Sequence, residues 1–257
     1  MKIASIASGS NGNCYYLGND DEAILVDAGI SARQIVARMT RIGLSLSTLR
    51  GVFVSHEHSD HVRGIDVFCR KHAVPVFMTE KTYGSYGRVV SDSLLNFFSP
   101  GRPVKIGNIC VTPFLKSHDA VEPCSFSVSS GDRNVAVLTD IGFECENVIA
   151  HFRHADAVFL ESNYDDQMLK TGFYPAHLKK RIASDRGHLS NTQAAQLAIK
   201  HASGRLRHIF LSHLSANNNT PQLALGAFKH FIEKRSDLKT EVMLTSREKE
   251  SRLVCLD

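Results

Sequence analysis

Val54-Ser55-His56-Glu57-His58-Ser59-Asp60-His61 is the stretch from which the rest of the chain is read. It follows the apolar run Gly51-Val52-Phe53-Val54, which reads as a buried strand. In extended chain, side chains two apart share a face, so His56 and His58 can point at one ion. Asp60 and His61 are adjacent and need a turn to face the same way. Beyond them Val62, Ile65, Phe68 and Cys69 recur at helical spacing up to His72. The pattern predicts strand, short loop, helix, with the four ligand candidates on the loop, two for one metal and two for another.

The chain has 257 residues and a formal charge of +4. That length supports a large core in one domain or two small ones, and no linker is evident, so one domain over 1–257 is expected. The charge is too mild to require a nucleic-acid partner by itself. Six cysteines are scattered without a Cys-x-x-Cys pair, which argues against a disulfide framework and suits a reducing, cytoplasmic setting. They are expected in the core. The start lacks a signal-peptide pattern and no run approaches a membrane span.

Short strands are expected at Lys2–Ala7, Cys14–Gly18, Ala23–Asp27, 51–54, Pro75–Met78, Ala157–Leu160, His208–Leu211, Val242–Leu244 and Leu253–Leu256. Val104–Ile106, Ile109–Leu115, Cys124–Ser129 and Asn134–Thr139 read as an antiparallel region. Capping boxes at Ser31/Gln34 and Ser190/Gln193 open two helices. Thr220 with Pro221 opens a third. Leu169–Arg186 is basic and broken, helical after Pro175, and Tyr83–Phe98 reads as helix then loop. Strands lead and helices follow in each half, which points to two similar halves packed sheet on sheet.

Five apolar strands end in a metal-type residue: Asp27, His56, His118, Asp140 and His213. One such histidine is ordinarily a core or surface residue. Five, each after a strand, can converge on a cleft. Imidazole and carboxylate without thiolate suit Zn²⁺, Mn²⁺ or Fe²⁺. Two such ions about 3.5–4 Å apart can share a hydroxide and grip a phosphodiester.

The set Asp27, His56-x-His58-x-Asp60-His61, His118, Asp140, His213 resembles the five-motif signature of the metallo-β-lactamase fold hydrolases, in order along the chain. The resemblance implies an α/β class, an αβ/βα sandwich of two mixed β-sheets flanked by helices. It also implies a two-metal site: His56, His58 and His118 on one ion, Asp60, His61 and His213 on the other, Asp140 bridging, and Asp27 orienting ligands from behind. Asp60 counts with the catalytic set as well. His58 stands where the oxygen-reducing di-iron branch has Glu, so hydrolysis is favoured.

Glu161-Ser162-Asn163-Tyr164-Asp165 and Gly187-His188-Leu189-Ser190-Asn191 resemble the Glu and His-x-Ser elements of the tRNA-processing ribonuclease Z branch. That likeness implies His188 as general acid for the leaving oxygen and Glu161 as its orienter. The bacterial YycJ/WalJ family is the nearest overall likeness. It is carried by Ser8-Gly9-Ser10-Asn11-Gly12-Asn13-Cys14, Ser55–Gly64, Glu161–Asp165, Gly172-Phe173-Tyr174-Pro175, Gly187–Asn191 and Leu211-Ser212-His213-Leu214-Ser215. It implies a 5′-end-directed DNA exonuclease using a metal-bridging hydroxide. The insertion of RNase J-type nucleases and the exosite arm of ribonuclease Z are missing, so substrate must use a shallow cleft.

Two other activities stay open: a small-molecule, cyclic nucleotide-like phosphodiesterase and an RNA-processing nuclease. A metal-bound binding protein without turnover is a third class, against which the full ligand set argues. Ser10, Asn11, Asn13, Asn163, Ser190 and Asn218 are the candidate substrate contacts. The 8–13 loop reads either as a phosphate nest or as a hairpin turn. Lys170, Lys179, Lys180, Arg181 and Arg186 read either as a track for a nucleic-acid backbone or as a solvated face. Oligomeric state is open.

Overall fold

The computed structural model describes residues 1–256. Among them the strands are β1 (Lys2–Ala7), β2 (Cys14–Gly18), β3 (Ala23–Val26), β4 (Leu49–Phe53), β5 (Val76–Met78), β6 (Leu95–Phe97), β7 (Val104–Ile106), β8 (Ile109–Leu115), β9 (Cys124–Ser130), β10 (Arg133–Leu138), β11 (Ala157–Glu161), β12 (His208–Ser212), β13 (Glu241–Leu244) and β14 (Val254–Cys255). The α-helices are α1 (Ala32–Arg41), α2 (Ser59–Val62), α3 (Ile65–His72), α4 (Glu80–Tyr86), α5 (Glu146–Arg153), α6 (Asp166–Thr171), α7 (Ala176–Ile182), α8 (Asn191–His201) and α9 (Pro221–Lys234). The strands form two seven-stranded mixed sheets, ordered β14-β1-β2-β3-β4-β5-β6 and β13-β12-β11-β10-β9-β8-β7. This is the expected fold class.

The chain divides into two compact units. One comprises Met1–Leu115, Ala120–Arg133 and the residues from Ser246 onward; the other comprises Lys116–Asp119 and Asn134–Thr245.

In the first unit β14, β1, β2 and β3 pair antiparallel, then β3 to β6 run parallel. Phe53 of β4 stacks on Phe77 at 4.5 Å and meets Phe126 of β9 edge-on at 5.9 Å, so aromatic rings fill the space between strands of both sheets. Arg38 on α1 is buried and donates to the carbonyls of Ile6, Arg247 and Glu248. A buried guanidinium is tolerable only when its N–H groups are met in this way. Here it ties the segment after Ser246 to β1.

In the second unit β10 to β13 are parallel throughout. All five residues of β11 are buried, as expected for a central parallel strand covered on both faces. Phe159 and Phe210 lie 4.6 Å apart on adjacent strands.

Both capping boxes form, and Thr220 caps α9 with Pro221 at its start. Three local readings change and a fourth is extended. The predicted loop after His58 winds into the single turn α2, which carries Asp60 and His61, and the chain restarts as α3 after Gly64. β10, read with the antiparallel strands, lies beside β9 across a two-residue turn and also runs parallel to β11 on its other edge. Residues 80–97 give a helix capped by Thr79 and then an edge strand, β6. Helix α5 has no counterpart in the sequence reading; its N-cap is Cys145, which makes no side-chain cap bond.

The six cysteines are free. Cys14, Cys69 and Cys124 are core residues, whereas Cys110 and Cys145 are half-buried and Cys255 is exposed. No described helix is long and apolar enough to cross a membrane.

Candidate metal centre

The first unit brings together Asp27, Ser55, His56, His58, Asp60 and His61. Asp27 follows β3 directly and adopts φ 63°, a left-handed conformation that Asp tolerates better than most residues. The turn buries its carboxylate, which accepts from the Ser55 N–H and hydroxyl at 2.8 Å each and from His61 Nδ1 at 2.7 Å. A carboxylate only accepts, so His61 carries its proton on Nδ1 and presents Nε2 as a ligand nitrogen. Ser55 spends its own hydrogen on Asp27 and can accept from His56 Nδ1 at 2.9 Å. That leaves His56 Nε2 as a ligand nitrogen, 3.1 Å from His58 Nδ1. Asp60 Oδ2 lies 3.5 Å from His61 Nε2. Glu57, inside the same motif, turns away and accepts from the Val121 N–H.

The second unit assembles His118, Asp140, Glu161, His188 and His213. Asp140 and His213 follow β10 and β12, again with positive φ, 55° and 57°. Such strain concentrates at functional sites. Asp140, Glu161, His188 and His213 offer ligand-type atoms within 4.8 Å of one another. Glu161, however, is saturated. Its Oε1 accepts from His188 Nδ1 and His213 Nδ1, both at 2.9 Å, and from the Asp140 N–H at 3.2 Å. Its Oε2 accepts from the Ile141 and Leu189 N–H groups at 2.7 and 3.0 Å. His118 donates Nδ1–H to the Gly187 carbonyl at 3.0 Å. His118 and His213 therefore also present Nε2.

Electrostatics follow the burial. Desolvation pushes His118 down to about 4, against the pull of Asp140, so it stays a neutral imidazole near neutral pH. Burial alone would raise the Glu161 carboxyl, but the charge of His188 and hydrogen bonds from His188 and His213 outweigh it and hold it at about 2. Imidazoles with Nδ1 anchored on an acceptor, beside carboxylates and without thiolate, are the donor set of a divalent metal site. The residues fit such a site.

Residues 7–213 match the metallo-beta-lactamase superfamily. The chain belongs to that superfamily. This chain is a metal-dependent hydrolase of that superfamily. Among its relatives, the exodeoxyribonuclease YycJ of Bacillus anthracis is 37% identical over 239 residues, covering 91% of this chain and 90% of that one. The exodeoxyribonuclease WalJ of Streptococcus pneumoniae is 36% identical over 229 residues, covering 87% and 85%. The crystal structure of the metallo-beta-lactamase fold protein YhfI from Bacillus subtilis superposes with a TM-score of 0.75 at 18% identity, covering 97% and 98%.

In this superfamily chain the proposed substrate contacts divide. Ser10 and Asn11 are exposed. Asn13 is fully buried; its Nδ2 lies 3.1 Å from His61 Nε2 and 3.4 Å from Asp60 Oδ2, so it braces the ligand turn. The N–H groups of Ser8, Gly9, Gly12 and Asn13 go to acceptors within the protein. The loop is thus a hairpin turn between β1 and β2 with most of its donors spent, not an open nest. Asn163 is buried and donates to the His213 carbonyl, and Ser190 caps α8. Asn218 is buried beyond His213.

Two positioning residues went unassigned in the sequence: Ser55, and Gly29 just after Asp27. A Cβ on Gly29 would collide with the Asp60 carbonyl, where the Asn13 N–H already binds. The only signal was Asp-Ala-Gly at a strand end. Gly29→Ala should displace the ligand turn, lowering stability by about 1–3 kcal/mol and zinc affinity by about 10- to 100-fold. Calorimetry with and without zinc checks both.

Proposed function

We propose that this chain is a dinuclear phosphodiesterase that digests DNA strands from 5′ ends. His56, His58 and His118 would hold one ion and Asp60, His61 and His213 the other, with Asp140 serving both; the two units act as one hydrolase domain. When bound, the ion pair supplies positive charge to the phosphodiester and an acidified water at neutral pH. The chain's own residues do the rest. Asp27 and Ser55 fix His61 and His56, and Glu161 fixes His213. Glu161 also holds His188 by Nδ1, which turns Nε2 outward as the proton donor to the leaving sugar oxygen. His188 is partly exposed, as a group that meets substrate must be.

The observation that carries this reading is the Glu161–His188 pair set beside the ligand residues. A simple Lewis-acid hydrolase of activated esters needs no such acid; an alkoxide leaving group does. Sequence relatives that are exodeoxyribonucleases support DNA as the substrate, and six free cysteines suit the cytosol.

The deciding experiment loads the protein with Zn²⁺, Mn²⁺ or Fe²⁺ in turn. Each form is assayed on 5′-phosphorylated and unphosphorylated DNA, single-stranded and duplex, on RNA, and on a cyclic nucleotide. Release of mononucleotides from DNA 5′ ends, abolished by chelator and restored by metal, is expected. Preference for RNA or for the cyclic nucleotide would overturn the substrate assignment.

A further inference from the structure

Phe173 is 79% exposed, the most exposed phenylalanine among the described residues. Isolated exposed apolar side chains are common and need no explanation. This one differs in its mounting. Only Gly172, Phe173, Tyr174 and Pro175 separate α6 from α7, and proline fixes the entry to α7. Tyr174 meets Phe173 edge-to-face at 5.2 Å and 86°. The Tyr174 hydroxyl accepts from Asn217 Nδ2 at 2.8 Å. The two helices are laced by Lys179 Nζ on the Lys170 carbonyl at 2.9 Å. A ring held this firmly in solvent forgoes burial without gaining freedom.

Its surroundings carry charge and a vacant donor. Lys180 and Arg186 are exposed on α7 and just beyond it, and Arg181 anchors that helix through Asp119, next to His118. Asn217 and Asn218 lie four and five residues past His213. Asn218 is 2% exposed, packs against Gly172, and its Nδ2 has no acceptor among the described residues. An aromatic face and exposed cations, on segments adjoining those that carry His188 and His213, match the chemistry of a single nucleic-acid strand.

We propose that Phe173, braced by Tyr174, is a stacking platform for an unpaired base of the substrate strand, with Lys180 and Arg186 on its phosphates. The inference rests on the nuclease reading above and adds that the site engages a single-stranded or frayed end. Stacking against a flat ring tolerates any base, so the platform grips the strand without reading sequence.

The test uses the metal-loaded full-length protein and a phosphorothioate DNA strand, chosen to slow digestion, carrying 2-aminopurine at successive positions from either end. Stacking on Phe173 should quench one or two of these positions. Phe173→Ala and Phe173→Leu should abolish that quench and weaken binding about tenfold, and Phe173→Trp should restore both. Leucine keeps the apolar bulk, so the comparison isolates the aromatic face. Turnover of unmodified strand is read as a ratio to turnover of bis(p-nitrophenyl) phosphate by the same preparation, which cancels differences in folding or metal loading. Quench and affinity unchanged in Phe173→Ala, with the wild type still cutting DNA, would overturn the platform alone. A wild type that neither binds nor cuts any strand would overturn the nuclease reading instead.

Discussion

His188→Ala is expected to slow hydrolysis of a DNA strand by about 100- to 10,000-fold while leaving metal content intact. The argument is one of leaving groups. A sugar alkoxide departs badly without a proton, and His188 is the partly exposed imidazole whose Nδ1 is held by Glu161 at 2.9 Å. A p-nitrophenolate departs as a stable anion and needs no acid. Turnover of bis(p-nitrophenyl) phosphate should therefore fall much less, within about tenfold. Equal losses on both substrates would mean that His188 shapes the site without donating a proton.

How much of this was legible in the sequence depends on how local each signal is. Strand ends announce themselves: apolar runs stop at Asp27, Asp140 and His213, and in the structure each turns through positive φ at that residue. Caps are equally local, and Ser31, Ser190 and Thr220 sit where the spacing placed them. Helix α5 was missed because its start lacks an oxygen-bearing cap residue, and β6 because three residues at a sheet edge carry no alternation. The parallel pairing of β10 to β11 was not readable, since it is decided by where the chain returns after α5. Position in the sequence also concealed division of labour. Asn13 and Asn163 look like substrate contacts when read as polar residues near motifs. Their amides are instead spent on the Gly9 backbone and on the His213 carbonyl. Ser55, quoted only as part of the motif, joins Asp27 to the His56 imidazole. Such roles depend on burial, which a motif does not encode.

Glu161→Gln is expected to have the second large effect, on stability and metal content together. Five donors converge on this carboxylate: two imidazole Nδ1 atoms and the N–H groups of Asp140, Ile141 and Leu189. A carboxylate can accept from all of them. A glutamine must aim its NH₂ at one set. Turned toward Ile141 and Leu189, it opposes two backbone donors and leaves them unmet in the interior. Turned toward the imidazoles, it forces their protons from Nδ1 to Nε2, and His213 is lost as a ligand. The expected cost is about 3–5 kcal/mol, with activity down at least about 100-fold and, in the proposed reading, metal stoichiometry falling from two toward one. That last readout separates an orienting role from a merely structural one. The pH dependence has a definite sign. The folded carboxyl sits at about 2 against an ordinary 4.5, so its contribution is complete above pH 4.5 and fades as pH drops toward 2. Thermal unfolding of chelator-treated protein should therefore fall more steeply through this window in the wild type than in Glu161→Gln. Parallel acid curves with full metal content in the variant would show that Glu161 neither carries this charge nor sets the proton on His213.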